Sequence, residues 1–307
     1  MLLKKLNNPY LIDTNDLEYN EIQSIFEKAT YFKENKKNRS FKDLLGINVC
    51  LAFFEPSTRT HLSFELASKR LNANTIVFPA LSSSQTKGET VIDTILTFEA
   101  MEFDIFIIRL SEVGTHKKLV EKTDSLIINA GDGNNQHPSQ ALLDAFTLRE
   151  KLGPLKNKKI TIVGDIKHSR VARSNINILQ KLGVKVSLSA PNELLPDDLN
   201  ALKVNTYSNI DESIEDGNQI MLLRLQKERL ENNIKTSFED YRTNFAITEE
   251  KLKKHNDFIF LHPGPVNYGF ELDYNLLFHK NCMIQTQVNN GVYIRMAILS
   301  LLRGHLK

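Results

Sequence analysis

The stretch Asn-Val-Cys-Leu-Ala-Phe-Phe-Glu-Pro-Ser-Thr-Arg-Thr at positions 48–60 decides the fold. Its first part, Asn48–Phe54, is an apolar run of strand length. Glu55-Pro56 ends it, and Ser57 or Thr58 is placed to cap a helix carrying Leu62, Leu66 and Leu71. A strand running straight into a helix is the repeating unit of an α/β sheet.

The same alternation recurs in both directions. Further strands are expected at Asn74–Phe78, Asp104–Arg109 and Ser125–Asn129, then at Lys159–Val163, Val184–Ser189, Gln219–Leu223 and Phe258–Leu261. Helical spacing fills most of the gaps, as with Val91, Ile95 and Phe98. Four strands precede Gly131 and four follow Gly153-Pro154, with a helical stretch Ser139–Leu152 between the sets. The pattern predicts two similar α/β domains, each a parallel sheet flanked by helices, joined by interdomain helices. Their bounds are 1–138 and 153–286, with 139–152 as connecting helix. A final amphipathic stretch, Gln287–Leu302, carries Val288, Val292, Leu299 and Leu302 on one face, so 287–307 is expected to pack back on the first domain. Gln226–Phe245 is polar and free of strand pattern, either a mobile lid or a solvated loop-helix.

Bulk composition agrees with this organisation. A chain of 307 residues exceeds one ordinary core. Its 41% hydrophobic and 25% charged residues are those of a globular protein. A formal net charge of +2 gives no global pull toward nucleic acid or membrane, so any anion site must be local. The two cysteines, Cys50 and Cys282, exclude a disulfide framework, and no metal-ligand spacing is present. The N-terminus lacks the apolar region of a signal peptide, and no run approaches the roughly 20 apolar residues of a membrane span. The expectation is a cytoplasmic protein.

Ligands of open parallel sheets bind beyond the carboxyl ends of the strands. After the first strand, Ser57, Thr58, Arg59 and Thr60 open a helix whose N-terminus carries unpaired N–H groups and partial positive charge. This is either an anion pocket or a plain capped helix with a surface Arg. The Ser-rich loop after the second strand includes Ser83 and ends on Lys87-Gly88-Glu89; alone it reads as a linker. The third strand ends on Arg109. After the fourth, the Gly- and Asn-rich segment from Asn129 to Asn135 indicates a tight turn. Pro138 then suits a first helical turn and leaves His137 and Gln140 near that helix N-terminus. The dipole disfavours imidazolium there, so His137 is expected to be neutral and to donate. In the second half Gly164-Asp165 leads to Arg170, but the Gly-x-Gly-x-x-Gly spacing of a dinucleotide site is missing. Arg224 and Gln226 follow another strand, and His262-Pro263-Gly264-Pro265 makes a stiff turn able to present backbone carbonyls. Arg59, Lys87, Arg109, Arg170 and Arg224 each lie at or after a different strand end. Jointly they describe a cationic cleft for two anionic small molecules.

These residues resemble the aspartate carbamoyltransferase catalytic chain over essentially the whole length. The resemblance rests on Ser57-Thr58-Arg59-Thr60 with Ser63-Phe64-Glu65, then Lys87-Gly88-Glu89 and His137-Pro138-Ser139-Gln140. It continues through Gly164-Asp165 with Arg170, Arg224-Leu225-Gln226-Lys227-Glu228-Arg229 and His262-Pro263-Gly264-Pro265. It implies condensation of carbamoyl phosphate with L-aspartate in pyrimidine synthesis, without a cofactor. Residues 1–138 would bind carbamoyl phosphate and 153–286 aspartate. Ser57, Thr58, Arg59 and Thr60 would cradle the phosphate with Arg109. His137 would donate to the carbamoyl oxygen, and Gln140 with the Pro263–Pro265 turn would lie near the carbamoyl nitrogen. Arg170, Arg224 and Gln226 would clamp aspartate. Ser83 and Lys87 would reach a neighbouring subunit's site, implying a homotrimer with shared sites, and a separate regulatory chain is compatible. Glu55 would clamp Arg170 and Arg229 in a closed state. Many relatives carry Val-Asn-Arg where this chain has Val266-Asn267-Tyr268, so a cation is not available there. No side chain is an obvious base, and the leaving phosphate is an alternative proton acceptor. Ornithine or another amino acid as acceptor, and a catalytically silent ligand-binding paralogue, are the rival readings. The family's ornithine branch typically carries a His-Cys-Leu-Pro turn, which differs from His262–Pro265.

Overall fold

The computed structural model describes residues 5–38, 40–79, 88–225 and 236–306. It contains ten strands in two parallel five-stranded sheets. Backbone packing divides the chain into unit 1, Met1–Leu143 with Val288–Lys307, and unit 2, Asp144–Gln287.

Unit 1 holds β1 (Tyr10–Leu11), β2 (Asn48–Phe53), β3 (Asn74–Phe78), β4 (Ile105–Leu110) and β5 (Leu126–Asp132), in the order β1-β5-β4-β2-β3. Register runs Val49↔Ile105 and Cys50↔Phe106 across β2 and β4, and Ile107↔Ile128 across β4 and β5. Cys50, Ala52, Phe106, Ile108 and Ile127 form one buried face with Ile95 and Leu119 from the neighbouring helices. The alternate residues Val49, Leu51, Ile105, Ile107 and Ile128 are buried as well. Burial on both faces explains why these strands read as continuous apolar runs.

Unit 2 repeats the plan with β6 (Lys159–Val163), β7 (Lys185–Ser189), β8 (Asn205–Tyr207), β9 (Gln219–Leu222) and β10 (Phe260–Leu261), in the order β10-β9-β6-β7-β8. All eight strands expected from the apolar runs are present. The two missed ones, β1 and β8, lie at sheet edges and span only two and three residues, too short to leave a pattern.

Four local readings are refined by the structure. The helix Thr58–Arg70 buries Phe64 and Ala67, followed by Leu71, while Leu62 and Leu66 are 56% and 42% exposed. Its leucines therefore split between two faces. The tight turn expected within Asn129–Asn135 begins only after Asp132: β5 runs on through Gly131, whose N–H donates to the Asn129 side-chain oxygen at 2.7 Å. The helix Ile284–Leu302 is not simply amphipathic. Val288 is 49% exposed, whereas Ile294, Met296, Ala297, Ile298, Leu299 and Leu302 are fully buried. Residues 226–235 lie outside the described segments, and Phe238–Phe245 is a helix capped by Ser237, whose Oγ accepts from Asp240 N–H at 3.1 Å. Buried Tyr241 stacks on Phe270 at 4.7 Å, which makes this part a packed helix and not a lid.

Candidate functional site

In each unit the candidate residues follow three neighbouring strands. The chain of unit 1 winds from β2 to β3 on one side and then crosses to β4 on the other, so winding reverses between β2 and β4. Open parallel sheets leave their ligand crevice at such a point, beyond the carboxyl ends. Ser57–Thr60 follow β2, Arg109 lies near the end of β4, and His137 with Gln140 follow β5. Unit 2 reverses between β6 and β9. Arg170 follows β6, Arg224 follows β9, and Pro263–Pro265 follow β10.

At the end of β2, Ser57 occupies the cap position of the helix Thr58–Arg70, yet its side chain makes no cap hydrogen bond. The first N–H groups of that helix thus keep their capacity for an anion. Thr58 and Arg59 are exposed, and the Arg59 side chain has no hydrogen bond or ion pair among the described residues. The Ser63 hydroxyl closes the first turn by donating to the carbonyls of Arg59 (2.5 Å) and Thr60 (3.1 Å). Thr60 is 6% exposed, and its Oγ1 lies 3.3 Å from His137 Nε2.

Arg109 is aimed by an irregularity. The β4–β5 register shifts between Ile108 and Leu110, and such a shift redirects the side chain it contains. Its Nη1 donates to the carbonyl of Ala130 at 3.2 Å, and its Nε lies 3.3 Å from Glu55 Oε2. Glu55 is thus engaged inside unit 1. The resemblance had given it Arg170 and Arg229 as partners in a closed state.

His137 is delivered by a buried turn. Asp132 Oδ1 accepts from Gln136 N–H (2.8 Å) and from Asn129 Nδ2 (3.0 Å), and Oδ2 accepts from Asn135 Nδ2 (3.0 Å). The Gln136 side-chain oxygen accepts from the Thr14 hydroxyl at 2.8 Å. Gly133 sits inside this turn at φ +48°, where a Cβ would approach the Ser111 carbonyl oxygen to 2.7 Å, so the turn admits only glycine. Pro138 then starts the helix Pro138–Leu152 with His137 immediately before it.

In unit 2, Gly164 leaves β6 at φ +116°, with an imaginary Cβ 3.0 Å from the Leu223 carbonyl oxygen. Buried Asp165 receives His168 Nδ1 at 2.8 Å. Ser169 caps the helix Arg170–Lys181, its Oγ accepting from Ala172 N–H at 3.2 Å, which puts Arg170 in the first turn. Arg224 is exposed and has no ion pair among the described residues. The turn after β10 has Gly264 at φ +69° and a cis bond to Pro265. Within it Gly264 N–H donates to His262 Nδ1 at 2.8 Å, and His262 and Glu271 are both 1% exposed. Tyr268, 41% exposed, packs edge-on against Tyr274 at 5.1 Å.

Three expected site residues, Ser83, Lys87 and Gln226, lie outside the described residues, as does Arg229. The apolar-run reading missed the buried carboxylates Asp132 and Glu271 and overlooked Asn267 and Gln136. Asp132 and Gln136 lie in a short polar stretch, Asn267 between Val266 and Tyr268, and Glu271 between Phe270 and Leu272, none with a distinguishing spacing. Among the described residues no group of three or more metal-ligating side chains forms, and no helix is long and apolar enough to cross a membrane.

Two switch points, one with hydroxyls, helix N–H groups and Arg59, the other with Arg170 and Arg224, define a two-domain α/β protein with cationic side chains beyond the strand ends of both sheets. Residues 10–150 match the aspartate/ornithine carbamoyltransferase carbamoyl-P binding domain, and residues 156–302 match the Asp/Orn binding domain of the same family. The chain belongs to the aspartate/ornithine carbamoyltransferase family. It is 42% identical to the aspartate carbamoyltransferase catalytic subunit of Flavobacterium psychrophilum, covering 99% of this chain and 100% of that one. It is 44% identical to the corresponding subunit of Acetivibrio thermocellus, covering 98% and 97%. Among solved structures, the catalytic subunit of M. jannaschii aspartate transcarbamoylase superposes with a TM-score of 0.85 at 34% identity, over 96% of this chain and 98% of that one. The Trypanosoma cruzi enzyme in complex with N-(phosphonacetyl)-L-aspartic acid gives a TM-score of 0.87 at 26% identity, over 98% and 96%.

Proposed function

We propose that this chain transfers the carbamoyl group of carbamoyl phosphate to the amine of L-aspartate. The products are N-carbamoyl-L-aspartate and phosphate, and the reaction is a step of pyrimidine biosynthesis. The observation that carries the reading is the grouping at the ends of β2, β4 and β5: an Arg59 side chain with no partner among the described residues, the uncapped helix N-terminus, Arg109, and Thr60 against His137 at 3.3 Å.

In this reading unit 1 takes the phosphate on Ser57, Thr58, Arg59, Thr60 and Arg109. Thr60 and His137 polarise the carbamoyl oxygen as negative charge develops there, while Arg59 neutralises the leaving phosphate. Preorganised donors at a developing oxyanion are each worth about 10²–10³ in rate. Unit 2 clamps the two aspartate carboxylates with Arg170, Arg224 and Gln226. Gln140 and the carbonyls of Pro263 and Gly264 face the carbamoyl nitrogen. Aligning amine and carbonyl supplies on the order of 7–11 kcal/mol without covalent catalysis. The amine proton passes to the departing phosphate.

The reading includes a cytoplasmic homotrimer in which Ser83 and Lys87 complete a neighbour's site. Exposed Leu62 and Leu66, with Ile76 (52%) and Val77 (41%) on edge strand β3, support an apolar contact on this side of unit 1. Carbamoyl aspartate formation from the two substrates by the purified chain tests the activity, with ornithine run in parallel. Cationic Arg170 and Arg224 disfavour the ornithine ammonium. Preference for ornithine would move the chain to the other branch of the family. Tight binding of a bisubstrate phosphonate without turnover would mark a silent paralogue.

A further inference from the structure

Glu271 lies in none of the motifs discussed above, yet it joins the two segments of unit 2 that carry Arg224 and the Pro263–Pro265 turn. Its carboxylate is 1% exposed and accepts four hydrogen bonds. Oε1 takes Leu225 N–H at 2.6 Å and Asn267 Nδ2 at 2.9 Å. Oε2 takes Asn267 N–H at 2.9 Å and His262 Nε2 at 3.1 Å. Four bonds fill the lone-pair sites of a carboxylate.

The proton positions follow from the geometry. Gly264 N–H donates to His262 Nδ1 at 2.8 Å, so Nδ1 is the acceptor and the ring proton sits on Nε2, directed at Glu271. The imidazole thereby ties Gly264 to the carboxylate. His262 N–H is held in turn by the Gln287 side-chain oxygen at 2.9 Å. On the other side, Asn267 Nδ2 also donates to the Leu225 carbonyl at 2.7 Å. Both backbone groups of Leu225 are therefore pinned, its N–H by Glu271 and its C=O by Asn267. Arg224 is the residue immediately before it.

We infer that Glu271 is a positioning residue that sets Arg224 and the Pro263–Pro265 turn relative to each other, through Leu225 on one oxygen and His262 on the other. Resting on the proposed function, this makes one buried carboxylate responsible for aligning the aspartate clamp with the carbonyls that face the carbamoyl group. A fully satisfied buried network of this kind rigidifies what it holds.

Glu271→Gln tests it. An amide retains one acceptor oxygen and turns an NH₂ toward donors, so one side of the hub opens while side-chain volume is kept. Misplacement of a substrate-holding group by about 1 Å can cost about 10²-fold. The expected result is a loss of that order in kcat/KM for aspartate, with a raised aspartate KM and unchanged affinity for inorganic phosphate, which binds unit 1. Glu271→Asp, keeping the charge, should recover part of the loss. Hydrogen exchange read on the same proteins should speed up at both Leu225 and Gly264. Should Glu271→Gln fold poorly, Asn267→Ala removes the bond to the Leu225 carbonyl and one of the four bonds to Glu271, leaves the His262 side intact, and should raise aspartate KM without altering phosphate binding. Unchanged exchange at Leu225 and Gly264 in the folded variant overturns the inference. So does a fall in kcat at constant aspartate KM, which marks a loss of folded enzyme only. A wild-type chain that forms no carbamoyl aspartate overturns the functional reading instead, and the exchange measurement still decides the positioning.

Discussion

Replacing Asp132 with alanine should unlock the turn that delivers His137. The structure allows the cost to be worked out bond by bond. Asp132 accepts from Gln136 N–H, Asn129 Nδ2 and Asn135 Nδ2. Asn135 is partly exposed and regains a partner from water, so its bond contributes little. Asn129 keeps its second bond, to the Ile12 carbonyl at 2.9 Å, but one buried N–H is orphaned. The Gln136 N–H is orphaned too, inside a residue 4% exposed. Two buried donors left unmade at about 1–3 kcal/mol each give roughly 2–6 kcal/mol. Water entering the space of the lost carboxylate favours the lower half of that range. Even about 3 kcal/mol is a large part of the 5–15 kcal/mol typical of a folded domain. The chain has no tryptophan, so urea unfolding is best followed by circular dichroism. The midpoint should fall, and kcat should fall by about 10²-fold as the Thr60–His137 pair loosens in the protein that remains folded. A variant with wild-type midpoint and wild-type kcat would refute the claim that this carboxylate builds the site.

Arg59→Ala should lower kcat by about 10²–10³ with an unchanged unfolding midpoint, because Arg59 has no partner among the described residues to lose. Near-normal turnover would remove it from the mechanism. Burial pushes Glu99 up, but hydrogen bonds from the Thr123 and Ser125 hydroxyls and the Ser125 and Asp124 N–H groups outweigh it and hold the carboxyl below its ordinary 4.5. A depressed folded value means the contribution is complete above 4.5 and fades as pH falls through the lower folded value. Glu99→Gln should therefore flatten the acid limb of a stability-against-pH curve, and an unaltered limb would rule Glu99 out as a source. Burial pushes the Cys50 thiol up to about 12, so a thiol reagent at pH about 8 should label Cys50 only after unfolding. Rapid labelling of Cys50 in the native chain would contradict the packing of β2.

Most of the sheet architecture was legible because both faces of each central strand are buried. Within these strands residues 49–53 and 105–108 leave an unbroken apolar record that depends on nothing distant. The strand ends were legible for the same reason: once a parallel sheet is assumed, Arg59, Arg109, Arg170 and Arg224 fall at carboxyl ends by position alone. Edges and supports were not. Tyr10–Leu11 becomes a strand only because β5 is there to pair with it. Leu62 and Leu66 have the spacing of a core face, yet Phe64 wins the interior, and periodicity cannot rank two adjacent apolar faces. Glu271 and Asp132 were invisible because a carboxylate's role as a hub depends on which N–H groups the fold gathers around it. The His262 turn was read as a source of carbonyls, and its imidazole's task of fixing the turn shows only in three dimensions.

Unit 1 is discontinuous: Val288–Lys307 belongs with Met1–Leu143, and the whole of unit 2 is spelled out between them. During translation the first sheet therefore emerges long before Ile294, Met296, Ile298 and Leu299, which carry no exposed surface in the finished molecule. Unit 2 leaves the ribosome as an uninterrupted block that can complete its interior first, while unit 1 still lacks the residues that finish its own. For that interval the first unit is incomplete, and removing Val288–Lys307 should leave it so for good.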